Sequence, residues 1–244
     1  MIVNIDAKSL EWITYIFLSQ DKIAIDEWLA LIEDPKKNDI HTANQIALNL
    51  PTRLISKVFL FRAIYCGPAY AYSVDPDFTH VSRSVQFWQN IIDNFYRKYK
   101  GLKACHNKFI TEATTTGKLT SPFGREYYYE PRKNWAGDMV WSEPEITNQI
   151  NQGLGADVMA VARVATFQRF KRYRLRSRLV NTVHDSIVSD CPDNEVQTVT
   201  EIKLEVFKDL PKLIEKAYGI PWNLPMIGEV SVGPNMSDLT EVKL

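Results

Sequence analysis

Two strand-like runs in distant parts of the chain each stop at an aspartate, and this constrains the fold more than any other feature. Ile2 to Ile5 is an apolar run that ends at Asp6. Leu179 to Val183 and Ile187 to Ser189 are β-rich runs that meet at His184-Asp185-Ser186, as in a hairpin. Ile227 to Val232 is a last strand candidate. Strands at both ends of a chain whose middle reads as helical predict an α+β fold. A carboxylate at a strand end beside a core is costly unless it is paired or holds a cation. Taken singly, each aspartate is more simply a turn or cap residue. Together, two of them from separate strands could hold two Mg²⁺ ions about 3.5–4 Å apart.

The middle of the chain carries the helical patterns. Leu10 to Leu18 is an amphipathic stretch, followed by a loop from Asp34 to Asp39. Pro51-Thr52 opens a helix running to Tyr65, which Cys66-Gly67-Pro68 stops. Val81 to Phe109 reads as one long helical region, with Phe87, Trp88, Phe95 and Tyr99 expected in the core. Ser121 to Gly124 is a turn before the strand-like Glu126 to Tyr129, and Gly153 to Phe170 is a further helix. Within the helix after Pro51, Arg53, Lys57, Phe61 and Tyr65 recur every four residues and so fall on one slowly drifting stripe. An ordinary amphipathic helix would place apolar groups along such a stripe. Two cations followed by two rings suit a triphosphate lying along the helix, with phosphates at one end and sugar and base at the other.

Composition sets the outer bounds. The 244 residues are 45% hydrophobic and 24% charged, enough for one core or a domain with a large insertion. No apolar run approaches the roughly 18 residues that a membrane span needs, and no signal-like N-terminal segment is present. Cys66, Cys105 and Cys191 have no metal-ligand spacing, which fits reduced thiols and a cytoplasmic setting. Net charge is zero but unevenly spread. No acid lies between Asp157 and Asp185, where Arg163, Arg169, Lys171, Arg172, Arg174, Arg176 and Arg178 fall. Arg97, Lys98, Lys100, Lys103 and Lys108 make a second basic cluster. Both are solvated faces or phosphate contacts.

The ordered motifs resemble those of family A DNA polymerases. Arg53-x-x-x-Lys57-x-x-x-Phe61-x-x-x-Tyr65 is similar to the fingers helix, motif B. Asp6-Ala7-Lys8-Ser9-Leu10-Glu11 resembles motif A, and Val183-His184-Asp185-Ser186 resembles motif C. Asp39-Ile40-His41-Thr42, Pro122-Phe123-Gly124-Arg125 and Asn148-x-x-x-Gln152-Gly153-x-x-Ala156-Asp157 follow the family's order. Ile227 to Gly233 resembles its closing palm strand.

This resemblance implies a palm built as an antiparallel sheet with helices, spanning 1–18 and 148–244. It implies a large helical fingers insertion over 19–147, with the thumb absent. The activity implied is template-directed addition of deoxynucleotides to a primer 3′-hydroxyl with two Mg²⁺ ions. Asp6, Asp185 and the Ala7 carbonyl would be the metal ligands. Lys57 would be catalytic, protonating the leaving pyrophosphate, and Arg53, Lys57 and His41 would bind the triphosphate. Phe61 would pack on the sugar, Tyr65 would sit by the template base, and Glu11 would exclude a ribose 2′-hydroxyl. His184, Gln152, Asn148 and Arg125 would contact DNA. The partners implied are primer-template DNA, deoxynucleoside triphosphates and a second polypeptide supplying the thumb and N-terminal domains, in a bacterial cell or phage-infected host.

Three features depart from the family pattern. Ser186 replaces a glutamate, Cys66 stands where a glycine follows the tyrosine, and Met1 lies only five residues before Asp6. The last suggests a split polymerase or a truncated reading frame. Two other readings are weighed. One is a single-subunit RNA polymerase fragment, favoured by His-Asp-Ser and opposed by Glu11, Phe61 and Gln152-Gly153. The other is a non-catalytic accessory subunit, opposed by the retention of Asp6, Asp185, Lys57 and Arg53.

Overall fold

Alternation decides the first strand: Val3, Ile5 and Ala7 are buried while Ile2, Asn4 and Asp6 turn to the other face. The computed structural model describes residues 1–34 and 38–242. Strand β1 (Ile2–Ala7) is followed by helices α1 (Leu10–Ser19), α2 (Lys22–Glu33), α3 (Ile40–Ala47) and α4 (Arg53–Ala63). Next come α5 (Ala69–Val74), α6 (Pro76–Thr79), α7 (Val85–Lys98) and α8 (Lys100–Thr116). Short strands β2 (Lys118–Thr120), β3 (Glu126–Tyr128), β4 (Arg132–Lys133) and β5 (Met139–Val140) precede the long helix α9 (Glu143–Arg172). The chain closes with β6 (Arg178–Val183), β7 (Ser186–Asp190), α10 (Val196–Tyr218), β8 (Gly228–Gly233) and β9 (Thr240–Glu241). In the expected loop from Asp34 to Asp39, residues 35–37 lie outside the described residues.

The chain forms two compact units, Met1–Glu11 with Gln152–Leu244, and Trp12–Asn151. These bounds differ from the expected 1–18, 19–147 and 148–244, because α1 and α9 each run through a boundary instead of stopping at it.

The first unit is built on a five-stranded sheet in the order β6-β7-β1-β8-β9, antiparallel throughout. The central strand therefore comes from the start of the chain and both its neighbours from the end, as the mixed ends of the sequence predicted. Helix α10 buries Val199, Ile202, Val206, Phe207, Leu210 and Ile214 in this unit. Gly228 permits a close approach: a Cβ there would run into the side chains of Ile5 and Phe207.

The second unit is helical, with an aromatic core. Phe59, Tyr72, Phe78, Trp88, Phe95 and Tyr99 are fully buried, and the Tyr72 and Trp88 rings stack at 5.4 Å. A further cluster joins Cys105, Phe109, Ala113, Leu119, Tyr129, Ile146 and Ile150. The expected single helix from Val81 to Phe109 is two helices broken at Tyr99, whose φ is −106° and ψ 75°. Tyr99 is drawn inward, donating its hydroxyl to Glu27 at 2.6 Å and Asn44 at 3.0 Å. The Asp21 carboxylate, which also caps α2, then accepts from the Gly101 and Leu102 amides at the start of α8. Long-range acceptors thus satisfy a helix start that no local capping residue announces.

Candidate active site

The first unit brings Asp6 and Asp185 together. Asp6, the penultimate residue of β1, lies opposite Ser186 of β7 and Glu229 of β8. Asp185 lies in the two-residue turn between β6 and β7, and its carbonyl accepts from the Ala7 amide at 2.9 Å. His184, the other turn residue, has φ 54°, the positive value that tight hairpin turns use to match strand twist. Ser186 is buried and donates its hydroxyl to the Val183 carbonyl at 3.0 Å, so the residue that replaces a glutamate braces the turn.

The two carboxylates repel one another. Partial burial, then the charge and hydrogen bond of Asp185, then the charge of Glu229 push the Asp6 pKa from 3.8 up to about 6, against a smaller opposing pull from His184. Lys8 pairs with Glu229 at 2.7 Å. Among the described residues, no group of three or more His, Cys, Asp or Glu side chains is placed to hold a metal ion. The donor pair still fits Mg²⁺, which takes hard oxygens and commonly only one or two carboxylates alongside substrate phosphates. A cation there would relieve the repulsion that lifts Asp6. Ala7, whose carbonyl was the third expected ligand, is buried at the end of β1 opposite Gly228.

Beside this pair, Glu11 is gripped by two of the residues expected to contact DNA. Gln152 donates to the Glu11 carboxylate, and His184 Nε2 stands 4.0 Å from it, with Nδ1 3.5 Å from Asp185. The Gln152 amide fixes the position of the Glu11 side chain.

The second unit carries the stripe. Thr52 caps α4, its side chain accepting from the Ile55 amide. Arg53 makes a bidentate pair with Asp39, Nε–Oδ2 at 2.6 Å and Nη2–Oδ1 at 2.9 Å. This pair and the Thr42 contacts hold the Asp39 carboxyl well below the usual range. Asp39, not expected as a site residue, thus aims Arg53 while capping α3. The sequence signal for it was the Asp-Ile-His-Thr signature itself. Lys57 is exposed one turn further along α4. His41 is half-buried with its ring 6.2 Å from that of Phe61. Burial, with the Arg53 and Lys57 charges, pushes its pKa down to about 4 despite Asp39. A neutral ring beside two cations can donate to a phosphate without adding charge. Tyr65 lies past the end of α4, its ring 6.1 Å from Tyr15. Asn148 and Arg125 are exposed, Asn148 one turn before Gln152 on α9.

The helix end after Tyr65 explains the second departure. Cys66 has φ 54°, its amide donates to the Ala63 carbonyl, and the Gly67 amide reaches back to Arg62. These are the two bonds of a Schellman cap, with cysteine in the left-handed position that glycine usually fills. The missing glycine is therefore a change of residue, not of backbone.

Comparison with known proteins bears on the family and the fold. DNA polymerase I of Chloroflexus aurantiacus is 22% identical over 218 residues, 84% of this chain and 21% of the relative. The DNA polymerase of Bacillus phage SP01 is 32% identical over 103 residues, 42% of this chain and 11% of the relative. DNA polymerase I of Borreliella burgdorferi is 25% identical over 98% of this chain and 25% of its own length. The chain thus spans a quarter or less of these relatives. The POL domain of Pol1 from M. smegmatis, solved with DNA primer-template and dNTP, superposes with a TM-score of 0.77 at 19% identity, over 95% of this chain and 39% of that one. The model of DNA polymerase family A matches residues 1–238, and the chain belongs to that family.

Proposed function

We propose that this chain is the catalytic portion of a template-directed DNA polymerase, with 1–11 and 152–244 as palm and 12–151 as fingers. The observation that carries the reading is the Asp6–Asp185 pair, two part-buried carboxylates whose mutual repulsion a bound cation would relieve. Two Mg²⁺ ions bound there would supply Lewis-acid activation of the primer 3′-hydroxyl and charge neutralisation on the leaving pyrophosphate. The chain's own residues do the rest. Lys57 and Arg53 hold the triphosphate, with Arg53 oriented by Asp39, and Lys57 gives a proton to the departing pyrophosphate. His41 donates to the same phosphates, and Phe61 packs on the sugar. Glu11, fixed by Gln152, excludes a 2′-hydroxyl, which favours deoxyribonucleotides and argues against the RNA polymerase reading. Tyr65 sits by the template base. His184 reads the primer-terminal minor groove, where every pair offers an acceptor, with Gln152 and Asn148. Arg125 contacts the DNA strand.

The test is single-nucleotide incorporation opposite each template base. Wild type should add only the complementary deoxynucleotide, in a Mg²⁺-dependent reaction that Asp6→Asn slows by on the order of 10³-fold. Incorporation that ignores the template base, or that survives Asp6→Asn, would sink the proposal.

A further inference from the structure

The buried face of α10 is apolar except at Thr200 and Lys203, and only Lys203 carries an ionisable group. Lys203 lies among Val199, Ile202, Val206 and Phe207 and is 0% exposed. Its Nζ donates to the Val3 carbonyl at 2.6 Å and to the Ile187 carbonyl at 2.7 Å. Among the described residues it makes no ion pair, and burial pushes its pKa from 10.5 down to about 7. A buried lysine without a counterion is an expensive way to fill a core position that a leucine or methionine would fill freely.

The two carbonyls it joins are not arbitrary. Val3 is on β1, three residues before Asp6, and Ile187 is on β7, two residues after Asp185. The register pairs Val3 with Ser189 and Ile5 with Ile187, so both carbonyls border one stretch of the β1–β7 ladder. Apolar burial alone specifies that register poorly. A slip of two residues leaves every side chain on its own face, yet moves Asp6 by about 7 Å relative to Asp185. A point donor shared between one carbonyl on each strand fits a single register.

We propose that Lys203 is a positioning residue that fixes β1 against β7 and thereby sets the Asp6–Asp185 spacing for cation binding. This rests on the reading of that pair as a metal site. It is tested on the whole chain by titration with Tb³⁺, a luminescent cation that takes oxygen ligands, in the absence of DNA and nucleotide. Binding to the pair is the component lost in Asp185→Asn. Melting temperature is measured in parallel on Lys203→Met, which fills the space without donors, and Lys203→Gln, which retains an N–H donor.

Lys203→Met should weaken the Asp185-dependent component about tenfold, the low end for residues that orient metal ligands, with Lys203→Gln between it and wild type. A purely structural strut would change the melting temperatures and leave both affinities within about twofold of wild type, which overturns the proposal. Failure of both variants to fold overturns it as well, since Lys203 would then serve the fold and not the spacing. Absence of an Asp185-dependent component in wild type is a separate result, which removes the metal site and the proposal with it.

Discussion

At the residue scale, the Asp6–Asp185 pair costs the fold stability. Asp6 holds a proton more tightly in the folded chain than in the unfolded one, with its pKa moved from 3.8 to about 6. Between those values the native state binds more protons, so stability falls as pH rises through the window and the penalty is complete above about pH 6. Asp6→Asn removes that penalty. The variant should be more stable than wild type at pH 7 by about 1–2 kcal/mol, solvent screening at the half-exposed carboxyl limiting the gain. The advantage should vanish below about pH 4. Thermal melting across pH checks this, and a variant no more stable at pH 7 than wild type would show that burial and the neighbouring carboxylates together do not penalise a charged Asp6. The aspartates themselves were legible in the sequence because each ends a β-rich run. The Asp39–Arg53 pair was not, since a helix cap in one segment and a cation in another look independent until the fold joins them.

Elements were legible where local chemistry and tertiary context agreed. Strand β1, the capped start of α4 and the β6–β7 hairpin all follow from patterns of a few residues. Helix α10 was assigned no element in the sequence reading, with Pro211 inside it and a lysine in its apolar face. The break at Tyr99 depends on Glu27, Asn44 and Asp21, and nothing adjacent in sequence reports it. Two substitutions probe the elements that support the site. Cys66→Val adds β-branching to a left-handed strain that cysteine already bears at φ 54° and should cost on the order of 1 kcal/mol in denaturant unfolding. An unchanged midpoint would mean that the α4 cap is not left-handed there. Gly228→Ala pushes a methyl into Ile5 and Phe207 and should destabilise by about 1–3 kcal/mol. A neutral effect in the same assay would contradict the close packing of β8 on β1 and α10.

For the whole molecule, the family architecture was readable from the order of motifs along the chain, and the family match over residues 1–238 agrees with it. Charge tells a more modest story than the basic runs suggested. Arg169 is engaged by Glu205 and Asp209, Arg176 by Glu195, and Lys98 by Glu27. With part of each run neutralised internally, primer-template should bind this chain with a Kd of about 1–100 µM at physiological salt, the range of non-specific contacts. Fluorescence anisotropy giving nanomolar affinity would show that the remaining exposed cations suffice to grip a duplex. The most direct measurement is primer extension by the 244-residue chain with Mg²⁺, comparing deoxyribonucleotides with ribonucleotides for wild type and Asp185→Ala. The predicted result is extension with deoxyribonucleotides alone, lost in Asp185→Ala. Extension that persists in Asp185→Ala, or that proceeds equally with ribonucleotides, would contradict the assignment of the carboxylate pair or of the Glu11 gate.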